Sequence, residues 1–176
     1  MRYAAAVRES GIILVVPEVE PLVGAIRDAY DRVARVGVPA HITLLYPWCT
    51  PSIENSDLDR LRSAIKDIAP FALTFRGVGR FDRSLYLRPD DDGQTAALAA
   101  RIAAAFPEHP PYGGRFPSQV PHLTVAEVES SIEPHLTTLA PTLLAGLPIE
   151  ARANAVTVME SGEDGRWSTH AVIPLR

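Results

Sequence analysis

The chain has 176 residues, is 47% hydrophobic and carries a formal net charge of −4, which fits one soluble globular domain with a full core. The acidic balance argues against a protein that coats nucleic acid, although not against an enzyme that holds one nucleotide or one RNA end. A single cysteine excludes an internal disulfide, and no apolar run is long enough for a signal peptide or membrane span, so we expect a cytoplasmic protein.

The first part of the chain predicts a strand, a helix and a second strand. Residues 11–16 are apolar and precede a proline, as in a buried strand. Residues 18–35 have acidic residues and a proline in the first turn and an apolar stripe at spacings of three and four, which predicts one continuous helix. The loop 37–39 then leads into a short apolar strand that begins at His41.

The middle of the chain predicts, in order, a helix, two antiparallel strands and an alanine-rich helix. These lie at residues 56–68, 71–76, 84–88 and 94–106. Asn55 or Ser56 is the expected cap of the first of these helices.

The last part begins with a long loop, residues 107–121, that leads into a second short strand at His122. Loops of this length without structure of their own are often functional. A helix with Ser131 as its N-cap, a long strand at 149–160 and a final hairpin strand at 167–175 complete the chain. This order of elements predicts an α+β fold with antiparallel sheets.

The two short strands carry the same pattern, a histidine and a threonine two residues apart after a proline-containing turn. His41 precedes Thr43 in the first, and His122 precedes Thr124 in the second. Side chains two apart in a strand share a face, so each pair should point into one space while its apolar neighbours enter a core. Two imidazoles and two hydroxyls converging on one cleft would suit the chemistry of phosphate esters.

A third such pattern, His135 with Thr137, is expected to be a decoy. The apolar residues around it recur at spacings of three and four, which predicts a helix. On a helix, residues two apart point about 200° apart and cannot share a target. The two strand copies, one in each half of the chain, favour duplicated halves over accident.

The paired motifs, their spacing and the order of elements resemble the 2H phosphoesterase superfamily. Within it, the chain looks most like the RNA 2′,3′-cyclic phosphodiesterases known as 2′-5′ RNA ligase family proteins, and segments 37–47 and 110–114 are similar to a bacterial branch. The resemblance implies a single domain, residues 1–176, with a LigT-like fold. That fold has two pseudo-symmetric lobes of antiparallel sheet, flanked by helices, around a central cleft.

The resemblance also maps the family's two catalytic histidines onto His41 and His122, and its two substrate-binding hydroxyls onto Thr43 and Thr124. Opening a cyclic phosphate needs a base for the attacking water and an acid for the leaving oxygen, and histidine titrates near pH 6.5. The hydroxyls can donate to phosphoryl oxygens in the transition state. The resemblance suggests His41 as the acid and His122 as the base, with no metal and no cofactor.

Other side chains near the motifs are candidate substrate contacts. Tyr46, Trp48, Tyr112 and Trp167 could stack on a base, and of these we retain Tyr46 and Trp167, while Arg115 could hold a phosphate. The only locally dense basic group comprises Arg76, Arg80, Arg83 and Arg88, for which a solvated surface is an equally good interpretation. We expect a monomer without membrane association whose partner is an RNA 3′ end or a small cyclic nucleotide.

The leading hypothesis is a metal-independent phosphodiesterase that hydrolyses RNA or nucleotide 2′,3′-cyclic phosphates to 2′-phosphates. The same site would also serve a 2′-5′ RNA ligase or a 2′-5′ phosphodiesterase, and the sequence does not separate these reactions. A non-catalytic nucleotide-binding module is disfavoured because binding alone needs no acid and base. A metal-dependent hydrolase is disfavoured because no acidic partner motif accompanies the histidines.

Overall fold

The computed structural model describes residues 8–115 and 119–176. The strands of this part of the chain are β1 (Ser10–Val15), β2 (His41–Leu45), β3 (Phe71–Arg80), β4 (Ser84–Asp90), β5 (Leu123–Glu127), β6 (Ile149–Ala153), β7 (Ala155–Ser161) and β8 (Trp167–Pro174). Its α-helices are α1 (Glu20–Tyr30), α2 (Arg32–Arg35), α3 (Asn55–Ile65), α4 (Gln94–Ala105) and α5 (Glu133–Ala145). Short 3₁₀ turns lie at Pro17–Val19 and Pro111–Gly114.

The strands form two four-stranded sheets, in the orders β2-β1-β7-β8 and β5-β4-β3-β6. All the pairings within them are antiparallel, so the predicted α+β class with two antiparallel sheets is confirmed. The two motif strands, β2 and β5, are the edge strands of their sheets and contact each other. The topology therefore brings the two motifs together between the sheets.

The main core lies between these two sheets and the helices. Alternate residues of β2 and β5 enter it with no exposed surface: Ile42, Leu44, Leu123 and Val125. Burying apolar side chains of this size stabilises the fold by about 1.5 to 3 kcal/mol each. The two edge strands are thus fixed against a rigid core on one face, while their other face carries the polar motif residues.

The predicted single helix at 18–35 is wrong, because the chain breaks at Asp31. This residue has an extended conformation, with φ −108° and ψ 110°. Its carboxylate accepts a hydrogen bond from the backbone of Val33 (3.1 Å) and others from the buried Arg27 guanidinium. Side-chain bonds of this kind compete with continued helix, and an apolar stripe gives no sign of them.

The predicted strand at 149–160 is also wrong as one element. It consists of β6, which pairs with β3, and β7, which pairs with β1 in the other sheet. Asn154 joins them, and its carbonyl oxygen accepts a hydrogen bond from the backbone of Leu175 (2.9 Å). Periodicity predicts an extended chain but carries no information on which sheet each part joins.

The two predicted helix caps have different outcomes. Helix α3 is capped by Glu54, one residue before the predicted Asn55 or Ser56, in a capping box in which the backbone of Glu54 donates to Asp57 (2.9 Å). The N-cap position of α5 is Ile132, one residue after the predicted Ser131, although the Ser131 hydroxyl accepts a hydrogen bond from the backbone of Glu133 (3.3 Å). The predicted helix at 94–106 is confirmed as α4.

Candidate active site

The register of β2 and β5 places the motif side chains on the face opposite the core. His41 and Thr43 are partly exposed in β2, on either side of the fully buried Ile42. Thr124 is partly exposed in β5, and His122 lies directly before that strand. The alternation predicted from the sequence is therefore present in both strands.

The motif face of the first sheet also holds the two predicted aromatic contacts. Thr43 pairs with Ile13 of β1, and Ile13 lies with the half-buried Trp167 in a small apolar cluster separate from the main core. The Tyr46 ring lies against the backbone of Gly11 and 6.1 Å from the Trp167 ring. The structure thus groups Tyr46 and Trp167 beside the first motif.

The Tyr46 hydroxyl donates a hydrogen bond to the carboxylate of Glu9 (2.9 Å). Burial, followed by this hydrogen bond, raises the pKa of Tyr46 to about 12. The phenol therefore stays protonated at neutral pH and serves to anchor the ring.

On the second sheet, His122 lies among aromatic rings that the sequence did not indicate. Its ring centroid is 5.2 Å from those of both Phe81 and Tyr86, with the Phe81 ring nearly perpendicular to it. Tyr86 pairs with Thr124 on one side and Gly79 on the other. A Cβ atom at Gly79 would lie 2.3 Å from the Tyr86 ring, so a glycine is required there for this ring position.

The two imidazoles are held in the same way. Nδ1 of His41 lies 2.8 Å from the carbonyl oxygen of Pro39, and Nδ1 of His122 lies 2.7 Å from that of Val120. A carbonyl oxygen can only accept, so Nδ1 carries the hydrogen in both rings. In the neutral ring the lone pair is then on Nε2, which is the arrangement needed to take up or deliver a proton there.

A buried ion pair lies behind the first histidine. Arg27 and Asp31 have side chains only 2% and 1% exposed, and the guanidinium donates to Asp31 at 2.9 and 3.1 Å. The same guanidinium donates to the carbonyl of Val38 (3.1 Å). The Arg27 guanidinium is thus held by the residue at the break between α1 and α2, and it is fixed against the loop that leads to β2.

Glu20 holds the other end of that loop. Its carboxylate accepts a hydrogen bond from the backbone of Ala40 (2.6 Å) and lies 3.7 Å from the Arg27 guanidinium. The residue between the two held positions is Pro39, whose carbonyl fixes the His41 ring. The buried Arg27 and the partly exposed Glu20 therefore fix the backbone that determines the orientation of His41.

Burial lowers the pKa of both histidines. The pKa of His41 falls to about 4, with the nearby charges of Arg27 and His122 lowering it further and the Pro39 hydrogen bond opposing the change. Burial also lowers the pKa of His122. The effect of His122 on His41 is the smallest of these and is that of a like charge.

The predicted functional loop binds to the first motif strand. The backbone of Tyr112 donates to the carbonyl of Tyr46 (2.6 Å), and its hydroxyl is in hydrogen-bonding contact with Thr43. The side-chain amide of Gln119 donates to the carbonyl of Thr43 (2.8 Å). Residues 116–118 of the loop lie outside the described residues, and the 3₁₀ turn supplies local structure that the sequence did not indicate.

Tyr112 adopts a left-handed conformation with φ 52°. A residue with a side chain is uncommon there, and such positions cluster at functional sites. Burial raises the pKa of the Tyr112 hydroxyl, so it remains protonated beside Thr43. A hydroxyl in that place can orient the Thr43 hydroxyl.

The structure also gives the positions of three other residues considered in the sequence analysis. Arg115 is exposed at the end of the 3₁₀ turn, where its backbone donates to Tyr112 (3.3 Å). Trp48 is 1% exposed and packs edge-on against Phe106, so it cannot stack on a base. His135 lies on helix α5 as predicted, with its ring 5.3 Å from a tyrosine of α1.

Within residues 8–115 and 119–176, no three His, Cys, Asp or Glu side chains form a group that could hold a metal ion. No helix in the same part of the chain is long and apolar enough to cross a membrane.

Two antiparallel sheets whose edge strands present paired His-x-Thr motifs define a phosphoesterase of the two-histidine class. The family model of the 2′-5′ RNA ligase superfamily matches residues 15–165. The chain therefore belongs to this superfamily of 2H phosphoesterases. Membership supports an enzyme that acts on phosphodiester bonds, by a phosphodiesterase or ligase type of reaction.

Solved structures share the fold at low sequence identity. Escherichia coli LigT complexed with 3′-AMP is 16% identical, with a TM-score of 0.61 over 96% of this chain and 98% of that one. The protein TT0787 of Thermus thermophilus is 18% identical, with a TM-score of 0.60 over 96% of this chain and 98% of that one. None of the curated proteins matches this chain in sequence.

Proposed function

We propose that this protein is a metal-independent phosphodiesterase that hydrolyses the 2′,3′-cyclic phosphates of RNA ends or small nucleotides to 2′-phosphates. The observation that carries the proposal is that the two imidazoles make the same hydrogen bond. Each ring donates from Nδ1 to the carbonyl two residues before it, which leaves both Nε2 atoms for proton transfer. A module that only bound nucleotides would have no need of two such nitrogens.

In this reaction a water molecule attacks phosphorus and loses its proton to one Nε2. The bond between phosphorus and the ribose 3′ oxygen breaks, and that oxygen receives a proton from Nε2–H of the other ring. The product keeps its phosphate on the 2′ oxygen. Following the family resemblance, we take His122 as the base and His41 as the acid.

This assignment places a condition on His41. With a pKa of about 4, its ring is almost entirely neutral at pH 7. A bound phosphate anion beside the ring favours the protonated form and raises the pKa of His41, so substrate binding would itself help to protonate this ring. If His41 were instead the base, it would act in its neutral form and its pKa would not need to rise.

The hydroxyls of Thr43 and Thr124 would donate to the non-bridging phosphoryl oxygens, where negative charge increases in the transition state. Their places on the exposed faces of β2 and β5 support this role. Tyr46 and Trp167 would stack on the base, and Arg115 would contact a phosphate. The LigT structures complexed with 3′-AMP, NADP⁺ and ATP support a nucleotide as the ligand.

A turnover assay tests the proposal directly. The substrates are the four nucleoside 2′,3′-cyclic phosphates, a short RNA with a cyclic end, a 2′-5′ linked dinucleotide and a pair of RNA halves. We expect 2′-phosphate products from the cyclic substrates. Faster cleavage of the 2′-5′ linkage, joining of the halves, or nucleotide binding without turnover would each replace the proposal by the corresponding alternative.

A further inference from the structure

The four clustered arginines differ in what their side chains contact. Three of them have partners: Arg76 pairs with Asp90 (3.3 Å), Arg80 with Glu133, and Arg83 donates to the carbonyl of Val128 (2.9 Å). Arg88 is exposed, and its side chain has no ion pair or hydrogen bond to the part of the chain that the structure describes. It is therefore the member of this group whose guanidinium has neither an ion pair nor a hydrogen bond within the described residues.

The register of the second sheet places Arg88 next to the second motif. Leu87 of β4 pairs with Leu123 of β5. Because the two strands are antiparallel, Arg88, which follows Leu87, lies beside His122, which precedes Leu123. Side chains alternate along β4, which puts Arg88 on the same face as Tyr86, two residues away. Tyr86 is the residue whose ring contacts His122 and whose partner in β5 is Thr124.

The strand on the other side of Arg88 leaves room for a ligand. Arg88 pairs with Gly77 of β3, and a Cβ atom at Gly77 would lie 3.9 Å from the Nη2 atom of Arg88. The guanidinium thus extends over a position that has no side chain. The nearest acidic neighbour on this face of β4, Asp90, already pairs with Arg76. An incoming anion would meet an unpaired cation.

We infer that Arg88 binds an internucleotide phosphate of an RNA strand whose cyclic terminus lies between His41 and His122. The inference rests on the proposed function and specifies its substrate class as oligonucleotide ends in preference to free nucleotides. A guanidinium suits this task because its planar N–H groups match two phosphate oxygens and it stays charged at every working pH. A mononucleoside cyclic phosphate has no second phosphate and gains nothing from Arg88.

The test compares Arg88→Ala with Arg80→Ala, which removes a neighbouring arginine whose partner, Glu133, lies on α5 and not on β4. The two substrates are a trinucleotide with a 2′,3′-cyclic end and the matching mononucleoside 2′,3′-cyclic phosphate. For Arg88→Ala we expect kcat/KM to fall about tenfold or more on the trinucleotide and to stay within about twofold on the mononucleotide. For Arg80→Ala we expect both values to stay within about twofold.

The salt dependence gives a second readout that a purely structural role would not change. Loss of one phosphate contact to a single strand should reduce the slope of log kcat/KM against log salt concentration by about 0.7 on the trinucleotide. Equal losses on both substrates, an unchanged trinucleotide slope, or an equal effect of Arg80→Ala would overturn the inference. Thermal unfolding of each variant confirms that it is folded.

A binding measurement separates the failure of this inference from the failure of the proposed function. The probes are an uncleavable trinucleotide ending in a 3′-phosphate and the corresponding nucleoside 3′-monophosphate, titrated calorimetrically. If the parent turns over no cyclic phosphate, the proposed function fails, yet tighter trinucleotide binding that is lost in Arg88→Ala still supports the subsite. A parent that binds the two probes equally tightly overturns the subsite, whatever its activity.

Discussion

Gln119 donates a hydrogen bond from its side-chain amide to the main-chain carbonyl of Thr43 (2.8 Å). The segment that leads to the second histidine is therefore attached to the strand that carries the first. This contact, with that of Tyr112 to Tyr46, joins the two motifs through one loop. The spacing of the two imidazoles then depends on a few polar contacts as well as on the core.

Gln119→Ala should lower kcat/KM by about tenfold, because small displacements of catalytic groups have large kinetic effects. The hydrogen bond contributes only about 1 kcal/mol to folding, so Tm should change little. Steady-state kinetics and thermal unfolding measure the two effects. The control is Gln94→Ala, which removes an exposed glutamine at the start of α4 and should leave both unchanged. Full activity of Gln119→Ala would show that the loop holds its place without this contact.

His41→Asn and His122→Asn should each lower turnover of a cyclic nucleotide by at least about 10². The asparagine amide can still donate to the Pro39 or Val120 carbonyl in place of Nδ1, so the local backbone is kept while Nε2 is lost. The matched control is His135→Ala, outside this site in helix α5, for which we expect a rate within a few-fold of the parent. A large loss at His135 in a folded variant would contradict the assignment of the third motif as a decoy.

Acid should destabilise the protein through its first histidine. The pKa of His41 is about 4 in the folded chain against 6.5 in the unfolded chain, so the unfolded state binds more protons between these values. The free energy of unfolding is therefore unaffected by the titration of His41 above pH 6.5. It decreases as the pH falls from 6.5 toward 4, by at most about 1.4 kcal/mol per pH unit for this group. Urea unfolding from pH 4.5 to 7.5 measures it. Parallel stability curves for the parent and His41→Asn would contradict the lowered pKa.

Activity should survive an excess of chelator, because the proposed reaction uses proton donors and acceptors where a metal enzyme uses a Lewis acid. The measurement is turnover of a nucleoside 2′,3′-cyclic phosphate before and after prolonged treatment with EDTA and gel filtration. Loss of turnover that one divalent ion restores would remove the metal-free mechanism.

The sequence predicted the parts of the site that depend on local pattern. The His-x-Thr alternation of β2 and β5 is confirmed because a strand of period two places alternate residues on one face wherever it lies. The aromatic rings around His122 were missed, since Phe81 and Tyr86 reach it only through the pairing of β4 with β5. The break at Asp31 was missed for a similar reason, because its partners include a buried arginine.

Chemical rescue should identify which histidine is the acid and which is the base. The two rings have the same hydrogen-bonding geometry, so their positions alone do not distinguish the roles. A leaving group of low pKa needs little help from an acid, whereas the attacking water needs its base whatever group leaves. With His41 as the acid, a nitrophenyl phosphodiester should restore much of the lost rate to His41→Ala and little to His122→Ala. The measurement is the ratio of kcat/KM on this ester to that on a cyclic nucleotide, for both variants and the parent. Rescue of His122→Ala instead would exchange the roles, in line with the low pKa of His41, and would leave the site itself unchanged.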